Sequence, residues 1–171
     1  KLYKVMGLIM NDLILLIGTN IGERSRNIEL AVKKLNDFFG NPTKISGVYE
    51  TEPWGFDSDM PFFNMAVVYK TDMLPIDILH VCKSIEISMG RKKSLNSGYE
   101  NRVIDIDIVL YGNVVVKDDY LCIPHKQLTQ RRFVLEPLSE IIPDYVHPVL
   151  NLSVRQLLND CADTLKVERI A

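Results

Sequence analysis

The order of apolar segments along the chain is the feature that most restricts its fold. A continuous apolar run at 13–17 predicts a buried strand, and apolar residues at helical spacing follow it until Gly40. Two strand-like segments then succeed each other, at 44–50 and 64–70, with a loop but no helical pattern between them. A doubly wound parallel sheet needs a helix after each strand, so these adjacent strands argue against it. The sequence therefore predicts an α+β fold.

The second half of the chain completes this order of elements. The predicted elements are a helix from Pro75 to Gly90, a strand at 103–111, a turn at Gly112-Asn113 into a hairpin strand at 114–116, and a last helix near 154–158. The first six elements give β-α-β-β-α-β, the ferredoxin-like order, in which the helices cover one face of a largely antiparallel sheet. We therefore expect a ferredoxin-like core with an added hairpin strand and C-terminal helical segments.

Length, charge and cysteine content exclude several classes of protein. A chain of 171 residues fits a single domain, which we place at 10–171, with residues 1–9 as an upstream extension or an expression remnant. Its net charge of −2 argues against general binding to nucleic acid or to membranes. No run approaches the roughly 18 apolar residues of a membrane span, and the three scattered cysteines form no disulfide framework. These features predict a cytoplasmic protein.

Two carboxylates interrupt the apolar strand at 103–111. Successive side chains of a strand point to opposite faces, so Asp105 and Asp107 share one face with Val109, whereas the isoleucines and Leu110 point toward the helices. Such a pair repels and is costly to bury, and divalent cations bridged to phosphate oxygens remove that conflict. A pair of aspartates on the wet face of an antiparallel sheet needs no ion, although aspartate is a poor strand former. The pattern alone leaves both interpretations open.

Basic residues flank the acidic strand and favour the metal interpretation. They are Arg91, Lys92 and Lys93 after the second helix, Arg102 before the strand, and Arg131 and Arg132 farther on. Arginine binds phosphate oxygens through two parallel hydrogen bonds, and lysine supplies a point charge. In a chain without net positive charge, such residues beside two carboxylates indicate a metal–polyphosphate site. The P-loop pattern GxxxxGK[ST] is absent, so this would be a different kind of phosphate site.

Four further features are ambiguous on their own. The segment 18–22 is interpreted as a strand-to-helix turn, because it only faintly resembles a phosphate loop. His125 is as consistent with a structural role as with a base or phosphate ligand, and Glu86 is by default a surface residue, with a ligand-facing position as the alternative. The loop at 52–61 is rich in proline, glycine and aromatic residues and is long for a connection, which is typical of functional loops.

Several short motifs occur in an order that resembles the 6-hydroxymethyl-7,8-dihydropterin pyrophosphokinase (HPPK) family over 13–158. The matching segments are I-G-T-N at 17–20, Y-E-T-E-P-W-G at 49–55, F-F-N-M-A at 62–66, I-E at 85–86, G-R at 90–91, N-R-V-I-D-I-D-I at 101–108, I-P-H at 123–125 and R-R-F-V-L-E-P-L at 131–138. Each motif alone is weak, but the ordered set is specific.

The resemblance implies a reaction and a set of site residues. The reaction is transfer of the β,γ-diphosphate of ATP to the hydroxymethyl group of the reduced pterin, with release of AMP, in folate biosynthesis. By position, Asp105 and Asp107 would bind two Mg²⁺ ions, and Arg91 and Arg102 would join them in catalysis. The residues implied for the pterin are Thr51, Trp54, Phe62, Asn64 and Phe133, and those implied for ATP are Glu86, Arg91, Lys93, Tyr99, Arg102, Ile108, His125 and Arg131. Phosphoryl transfer suits such a site, because it depends on positioning and charge neutralisation.

Two other functions remain compatible with the sequence. A ferredoxin-like two-metal nucleotidyl transferase or cyclase would also use paired aspartates on a sheet, but it would not need the set formed by Phe62, Asn64 and Phe133. A non-catalytic ligand-sensing module would leave Asp105 and Asp107 without metal. We expect ATP and a reduced pterin as small-molecule partners, no nucleic-acid or membrane partner, and a monomer, with a dimer as the other possibility.

Overall fold

The computed structural model describes residues 10–91 and 100–171. Its strands are β1 (Asn11–Thr19), β2 (Lys44–Ile45), β3 (Tyr49–Thr51), β4 (Phe62–Thr71), β5 (Asp105–Tyr111), β6 (Val116–Lys117), β7 (Cys122–Ile123) and β8 (Val167–Arg169). Its α-helices are α1 (Arg24–Phe39), α2 (Pro75–Ser88), α3 (Arg132–Ile141) and α4 (Val154–Asn159), and a 3₁₀-helix spans Leu128–Gln130. Within the described ranges, no helix has the length and apolar character needed to cross a bilayer.

The main sheet confirms the predicted ferredoxin-like core. Its strand order is β5-β1-β4-β3-β8, and β2 also pairs with β4. The strand pairs described in it are antiparallel. β1 lies between β4 and β5, so Gly18 is paired with Asn64 on one side and with Asp105 on the other. The fold thereby brings together three segments that are far apart in the sequence.

One face of the sheet is covered by α1 and α2, as predicted. Leu35 of α1 and Ile78 of α2 are buried in the same apolar cluster as Ile106 and Ile108 of β5. Burying a large aliphatic side chain contributes roughly 1.5–3 kcal/mol relative to exposing it, so this cluster determines which face of β5 turns inward. Helical spacing from Ile28 and Leu35 predicts Phe38 on the apolar side of α1, but Phe39 is buried there and Phe38 is 54% exposed.

The opposite face carries α3 and α4, the C-terminal helical segments whose position on the sheet the sequence did not predict. Leu138 of α3 and Val154 of α4 pack with Ile14 and Leu16 of β1 in a second apolar cluster. This packing hides part of the face on which Asp105 and Asp107 lie. The pair therefore does not stand on an open wet surface, which removes the simplest explanation for two aspartates in this strand.

Three local predictions are corrected by backbone details. The strand expected at 44–50 breaks into β2 and β3, because the side-chain oxygen of Ser46 accepts the N–H of Ala66 at 2.9 Å. The register between β1 and β5 shifts beside Val109, so Leu110 joins the α3 side instead of the α1 side. The turn after Tyr111 forms, but β6 pairs with β7 and not with β5. The chain also ends in an unpredicted strand, β8, which pairs with β3.

Candidate active site

One row of the sheet carries polar side chains that the sequence singled out. Gly18 separates Asn64 of β4 from Asp105 of β5 in this row. With neighbouring strands about 4.8 Å apart, the two outer backbones lie about 10 Å from each other. A Cβ at Gly18 would lie 2.9 Å from Asn64 Oδ1, so the bare glycine leaves space for the amide. The row therefore has a polar group at each end and a residue without a side chain between them.

Asp105 is held by two arginines. Arg91 Nη1 donates to Asp105 Oδ1 at 2.5 Å, and Arg102 Nη1 donates to Oδ2. Burial on its own raises the pKa of Asp105, but the charges of Arg102 and then Arg91 outweigh it and hold this pKa below its ordinary value. Asp105 is therefore ionised in the free protein.

Asp107 lies on the same face but in a different electrostatic environment. Burial, followed by the negative charge of Asp105, raises the pKa of Asp107 to about 7. The strand thus places Asp105, an ionised carboxylate whose charge is balanced by two arginines, beside Asp107, a carboxylate that is costly to ionise. A bound cation would relieve this cost, which is the conflict that the spacing of the two aspartates predicts.

Glu86 connects α2 to the acidic strand β5 through a buried hydrogen bond. It is 1% exposed, and its Oε1 accepts the N–H of Ile106 at 2.8 Å. Arg91 Nη1 lies 2.7 Å from the same oxygen, and Lys83 Nζ lies 3.0 Å from Oε2. Burial raises the pKa of Glu86, and Lys83 opposes that effect most strongly. The default interpretation of Glu86 as a surface residue is therefore wrong, since it holds the arginine that contacts Asp105.

The polar row forms the floor of a cleft of about 520 Å³, here called the aromatic cleft. Its lining residues are Leu16, Gly18, Thr51, Glu52, Trp54, Phe56, Phe62, Asn64, Arg102, Asp105, Asp107, Arg131 and Phe133. All five residues implied for the pterin belong to this set. Asn64 Nδ2 donates to Thr51 Oγ1 at 2.8 Å, and both residues are buried. The orientation of the Asn64 amide is therefore set before any ligand binds.

Arg131 lies in the aromatic cleft, although the resemblance assigns it to ATP. Its guanidinium carbon is 4.6 Å from the centre of the Trp54 ring and 5.5 Å from that of Phe133. Its Nη2 donates to Gln127 Oε1. A guanidinium at these distances is attracted to the aromatic faces, so Arg131 adds positive charge to a wall of aromatic rings.

A second cleft, here called the outer cleft, lies at the outer edge of β5 and has about 660 Å³ of empty space. Its lining residues are Leu79, Lys83, Ile106, Asp107, Ile108, Asp118, Asp119, Tyr120, Leu121, Cys122, His125 and Lys126. His125 Nδ1 accepts the N–H of Gln127 at 3.2 Å. Burial, followed by the charge of Arg131, lowers the pKa of His125 to about 4, so its ring is neutral at neutral pH. Asp107 lines both clefts.

Most of the predicted site residues converge on Asp105 and Asp107. Arg91 and Arg102 contact Asp105, the pterin set lines the aromatic cleft, and two residues implied for ATP, Ile108 and His125, line the outer cleft. Lys93 and Tyr99, also implied for ATP, lie outside the described residues.

Sequence analysis assigned no role to several residues of these clefts, among them Gly18, Phe56 and Lys83. Gly18 belongs to β1 rather than to a turn. Nothing in its sequence position indicated that it lies close to Asn64 on the neighbouring strand. Phe56 lies in the loop that was interpreted as functional, but nothing in its own position distinguished it. Lys83 looks like an ordinary surface lysine in the sequence, and only the structure shows its contact with buried Glu86.

The donor groups at the acidic strand fit one kind of metal site. In the part of the chain that the structure describes, no group of three or more His, Cys, Asp or Glu side chains is arranged to hold a metal ion. Mg²⁺ is commonly bound by one or two protein carboxylates, with water and substrate phosphates completing its shell. Asp105 and Asp107 therefore fit magnesium that arrives with a polyphosphate, rather than a metal held by protein groups alone.

Comparison with known proteins places this chain in a family. A family model described as 7,8-dihydro-6-hydroxymethylpterin-pyrophosphokinase (HPPK) matches residues 14–143. The 2-amino-4-hydroxy-6-hydroxymethyldihydropteridine pyrophosphokinase of Porphyromonas gingivalis is 41% identical over 134 residues, which cover 77% of this chain and 90% of that protein. The protein of the same name from Aquifex aeolicus is 38% identical over 140 residues, which cover 82% of this chain and 86% of the relative.

Larger proteins contain the same unit. The folic acid synthesis protein fol1 of Schizosaccharomyces pombe is 39% identical over 143 residues, which cover 83% of this chain but 19% of that protein. A crystal structure of Plasmodium falciparum HPPK-DHPS shares the fold with a TM-score of 0.72 at 20% identity, and the match covers 91% of this chain and 45% of the other. The family model and the relatives of similar length together show that the chain belongs to the HPPK family.

Proposed function

We propose that the chain transfers the β,γ-diphosphate of ATP to the hydroxymethyl group of 6-hydroxymethyl-7,8-dihydropterin, giving AMP and the pterin diphosphate of folate biosynthesis. This is the reaction of the family to which it belongs. The observation that carries the proposal to a site is the position of Asp107, which lines both the aromatic cleft and the outer cleft. A phosphate chain in one cleft and an acceptor hydroxyl in the other would meet at the paired carboxylates.

The aromatic cleft is the proposed pterin site. Phe62 and Phe133 would stack on the two faces of the flat ring, an arrangement in which aromatic systems attract each other. The Asn64 amide can both donate and accept hydrogen bonds, which suits the mixed polar edge of a pterin. Its bond to Thr51 orients it for that task. Backbone groups around Thr51 and Trp54 would complete the polar edge of the pocket.

Asp105 and Asp107 are the proposed ligands of two Mg²⁺ ions. Bound there, the ions would neutralise charge on the transferred group and polarise the attacking hydroxyl. Asp105 contributes an ionised carboxylate that its two arginines keep in place. Asp107 gains most from a cation, because burial otherwise disfavours its charged form.

Three arginines are proposed to neutralise the phosphate chain. Arg91 and Arg102 already meet at Asp105, so their charges lie beside the proposed metal position. Arg131 lies in the aromatic cleft, and its proposed target is the part of the phosphate chain that passes Asp107. Preorganised positive charge of this kind stabilises a phosphoryl-transfer transition state without moving during the reaction.

The outer cleft is the proposed site of the nucleotide. Ile108 offers an apolar surface for the base, and His125 is a neutral ring that can donate one hydrogen bond. Lys93 and Tyr99 stay part of this prediction, although they lie outside the described residues. Glu86 is 1% exposed, so its proposed contribution is to hold Arg91 and β5 rather than to touch the nucleotide.

The two alternative functions find less support at this site. A nucleotidyl transferase has no need for a cleft that is lined by Phe62, Asn64 and Phe133 and has a glycine, Gly18, at its base. A sensing module has no need for two carboxylates whose proximity raises the cost of ionising one of them. A monomer located in the cytoplasm remains our prediction for assembly and location.

The test is a balance of products. The protein is incubated with ATP, Mg²⁺ and 6-hydroxymethyl-7,8-dihydropterin, and nucleotides and pterins are separated by chromatography. We expect AMP and pterin diphosphate in equal amounts. The matched control is 6-methyl-7,8-dihydropterin, which fits the same cleft but has no hydroxyl, and it should give no AMP. Formation of ADP, or AMP at the same rate without pterin, would contradict the proposed reaction.

A further inference from the structure

A buried asparagine at the end of β1 holds the backbone of a proposed catalytic arginine. Asn20 is 4% exposed, and its Oδ1 accepts the N–H of Arg102 at 2.7 Å. The backbone N–H of Asn20 donates to the carbonyl of Arg102 at 3.1 Å. Both backbone groups of Arg102 are therefore bound by one residue, which determines where its guanidinium meets Asp105.

The same asparagine reaches the opposite wall of the aromatic cleft. Asn20 Nδ2 donates to the carbonyl of Met60 at 3.2 Å and to Asn101 Oδ1 at 2.6 Å. Ser58 Oγ donates to that Asn101 oxygen at 2.8 Å and accepts the N–H of Met60 at 3.1 Å. Ser58 and Met60 belong to the loop at 52–61, whose aromatic residues line the cleft. A continuous hydrogen-bond network therefore joins this loop to the backbone of Arg102.

We propose that Asn20 is a positioning residue that couples filling of the aromatic cleft to the placement of Arg102 on Asp105. A ligand stacked against the loop at 52–61 stabilises the loop in its docked position, and the docked loop keeps Asn20 and Asn101 bonded to each other. These bonds in turn hold Arg102. Coupling between two sites is reciprocal, so a ligand at Asp105 favours the docked loop by the same factor.

The inference rests on the proposed function, because it takes the ligand of the aromatic cleft to be the pterin and the ligand at Asp105 to be Mg²⁺ with a nucleotide. The two can fail separately. Failure of the proposed function would appear in the wild-type protein as no pterin-dependent AMP. Failure of the inference would appear as normal wild-type turnover with coupling that does not depend on Asn20.

A neighbouring residue supplies a matched control. Asn27 of α1 donates to Thr19 Oγ1 at 3.1 Å, to the carbonyl of Ile21 at 2.9 Å and to the carbonyl of Val103 at 3.2 Å. It therefore stabilises the same end of β1 and the same entry to β5 through three hydrogen bonds. Among the residues that the structure describes, its side-chain bonds go to these three groups, and none goes to the loop at 52–61. Asn27→Ala tests general stabilisation of this region without the proposed coupling.

The experiment measures pterin affinity by fluorescence titration, with and without Mg²⁺ and α,β-methylene-ATP, which binds without reacting. In the wild type we expect each ligand to raise the affinity of the other by about 5–100-fold, the usual range for coupled sites. Asn20→Ala should reduce this enhancement to less than about twofold and lower kcat/KM by about 10–100-fold, with pterin affinity in the absence of nucleotide changed by less than about threefold. Asn27→Ala should keep the enhancement. No enhancement in the wild type, or equal loss in both variants, would overturn the inference.

A second variant keeps the test decisive if Asn20→Ala does not fold. Ser58 is only partly buried and lies in the loop, so Ser58→Ala removes its local bond from Met60 N–H and its single bond to Asn101, with little effect on the core. We expect it to fold as the wild type and to weaken the enhancement by about two- to fivefold, which corresponds to one hydrogen bond. An enhancement unchanged in Ser58→Ala, with Asn20→Ala unfolded, would also overturn the inference.

Discussion

The aromatic cleft and the outer cleft share Asp107 but are built on different kinds of structure. The aromatic cleft stands on β1, β4 and β5, where Gly18, Asn64 and Asp105 are paired in one continuous row. The outer cleft stands on the edge strand β5, on α2 and on the segment 118–126, which contains β7 of a separate ladder with two residues per strand. A central strand is held by pairs on both sides, whereas a two-residue ladder has few bonds to hold it. The proposed acceptor site therefore rests mainly on paired sheet strands, and the proposed nucleotide site rests on β5 together with less constrained elements.

The largest expected effect is at the residue that the two clefts share. Asp107→Ala should lower turnover by at least about a thousandfold, because metal-assisted charge neutralisation supplies several kcal/mol of transition-state stabilisation. Pterin affinity should change by less than about threefold, since the aromatic contacts and Asn64 remain. AMP formation and pterin fluorescence measure the two quantities.

The control for this variant is a carboxylate at the other end of the same sheet. Asp12 of β1 forms an ion pair with Lys70 at 2.8 Å and is partly exposed. Asp12→Ala should leave turnover within about twofold of the wild type, as expected for a surface ion pair. Equal loss of turnover and pterin affinity in Asp107→Ala would mean that Asp107 belongs to pterin binding alone, and the two clefts would not meet there.

The next largest effect should be confined to the aromatic cleft. Asn64→Ala removes an oriented, buried amide, and we expect the KM for the pterin to rise by about 10–100-fold, while the KM for ATP stays within about twofold. Steady-state kinetics with each substrate varied in turn measures both constants. Asn113→Ala, in an exposed turn, is the matched control and should change neither. A parallel rise in both KM values would break the division between the clefts.

A smaller effect should be confined to the outer cleft. His125→Ala should raise the KM for ATP by about 2–10-fold, as expected for one lost hydrogen bond, and leave pterin affinity unchanged. Burial lowers the pKa of His125 from 6.5 to about 4, so the ring is neutral at both pH 6 and pH 8. The ratio of mutant to wild-type KM should therefore be the same at these two pH values. A larger ratio at pH 6 would show that the imidazole binds ATP in its charged form.

The order of elements and most of the aromatic cleft could be predicted from the sequence because they depend on local signals. Strand alternation placed Asp105 and Asp107 on one face of the sheet and the isoleucines of the same strand on the other. The helical spacing of apolar residues in α1 and α2 indicated that these helices cover the isoleucine face. The residues implied for the pterin followed from the resemblance to the HPPK family, whose short motifs lie in β3, the loop at 52–61, β4 and α3. These signals are properties of short segments, so they can be recognised without knowledge of the whole fold.

The features that could not be predicted depend on contacts between distant segments. The burial of Glu86 results from its bonds to Arg91 and Ile106, which the sequence places on other elements. The break at Ser46 requires the N–H of Ala66 on β4, and α3 covers the sheet only because its apolar face meets Leu16. Propensity and spacing contain no information on such partners, so tertiary packing decides them.

The last prediction concerns stability and separates the two carboxylates of the acidic strand. Burial and the charge of Asp105 raise the pKa of Asp107 from 3.8 to about 7. Below about pH 4 the folded and unfolded states both bind the proton, so Asp107 does not change the free energy of unfolding. Between about pH 4 and pH 7 that free energy falls, and above pH 7 the full cost of ionising Asp107 is present. Asp107→Asn removes that cost. Without metal, the variant should be more stable than the wild type at pH 8, by on the order of 2–4 kcal/mol, and equally stable at pH 4.

Asp105 should behave in the opposite way, because Arg102 and Arg91 lower its pKa and its charge stabilises the fold above its ordinary pKa. Asp105→Asn should therefore melt at a lower temperature than the wild type at pH 8, and the difference should shrink as the pH falls through the lowered pKa of Asp105. Thermal denaturation in EDTA, at pH 8, at pH 4 and at lower pH values, measures both variants against the wild type. A lower Tm for Asp107→Asn at pH 8 would show that Asp107 is ionised and favourably paired without metal. The carboxylate that lines both clefts would then have its charge balanced by protein groups, and a cation would not be needed to stabilise its ionised form.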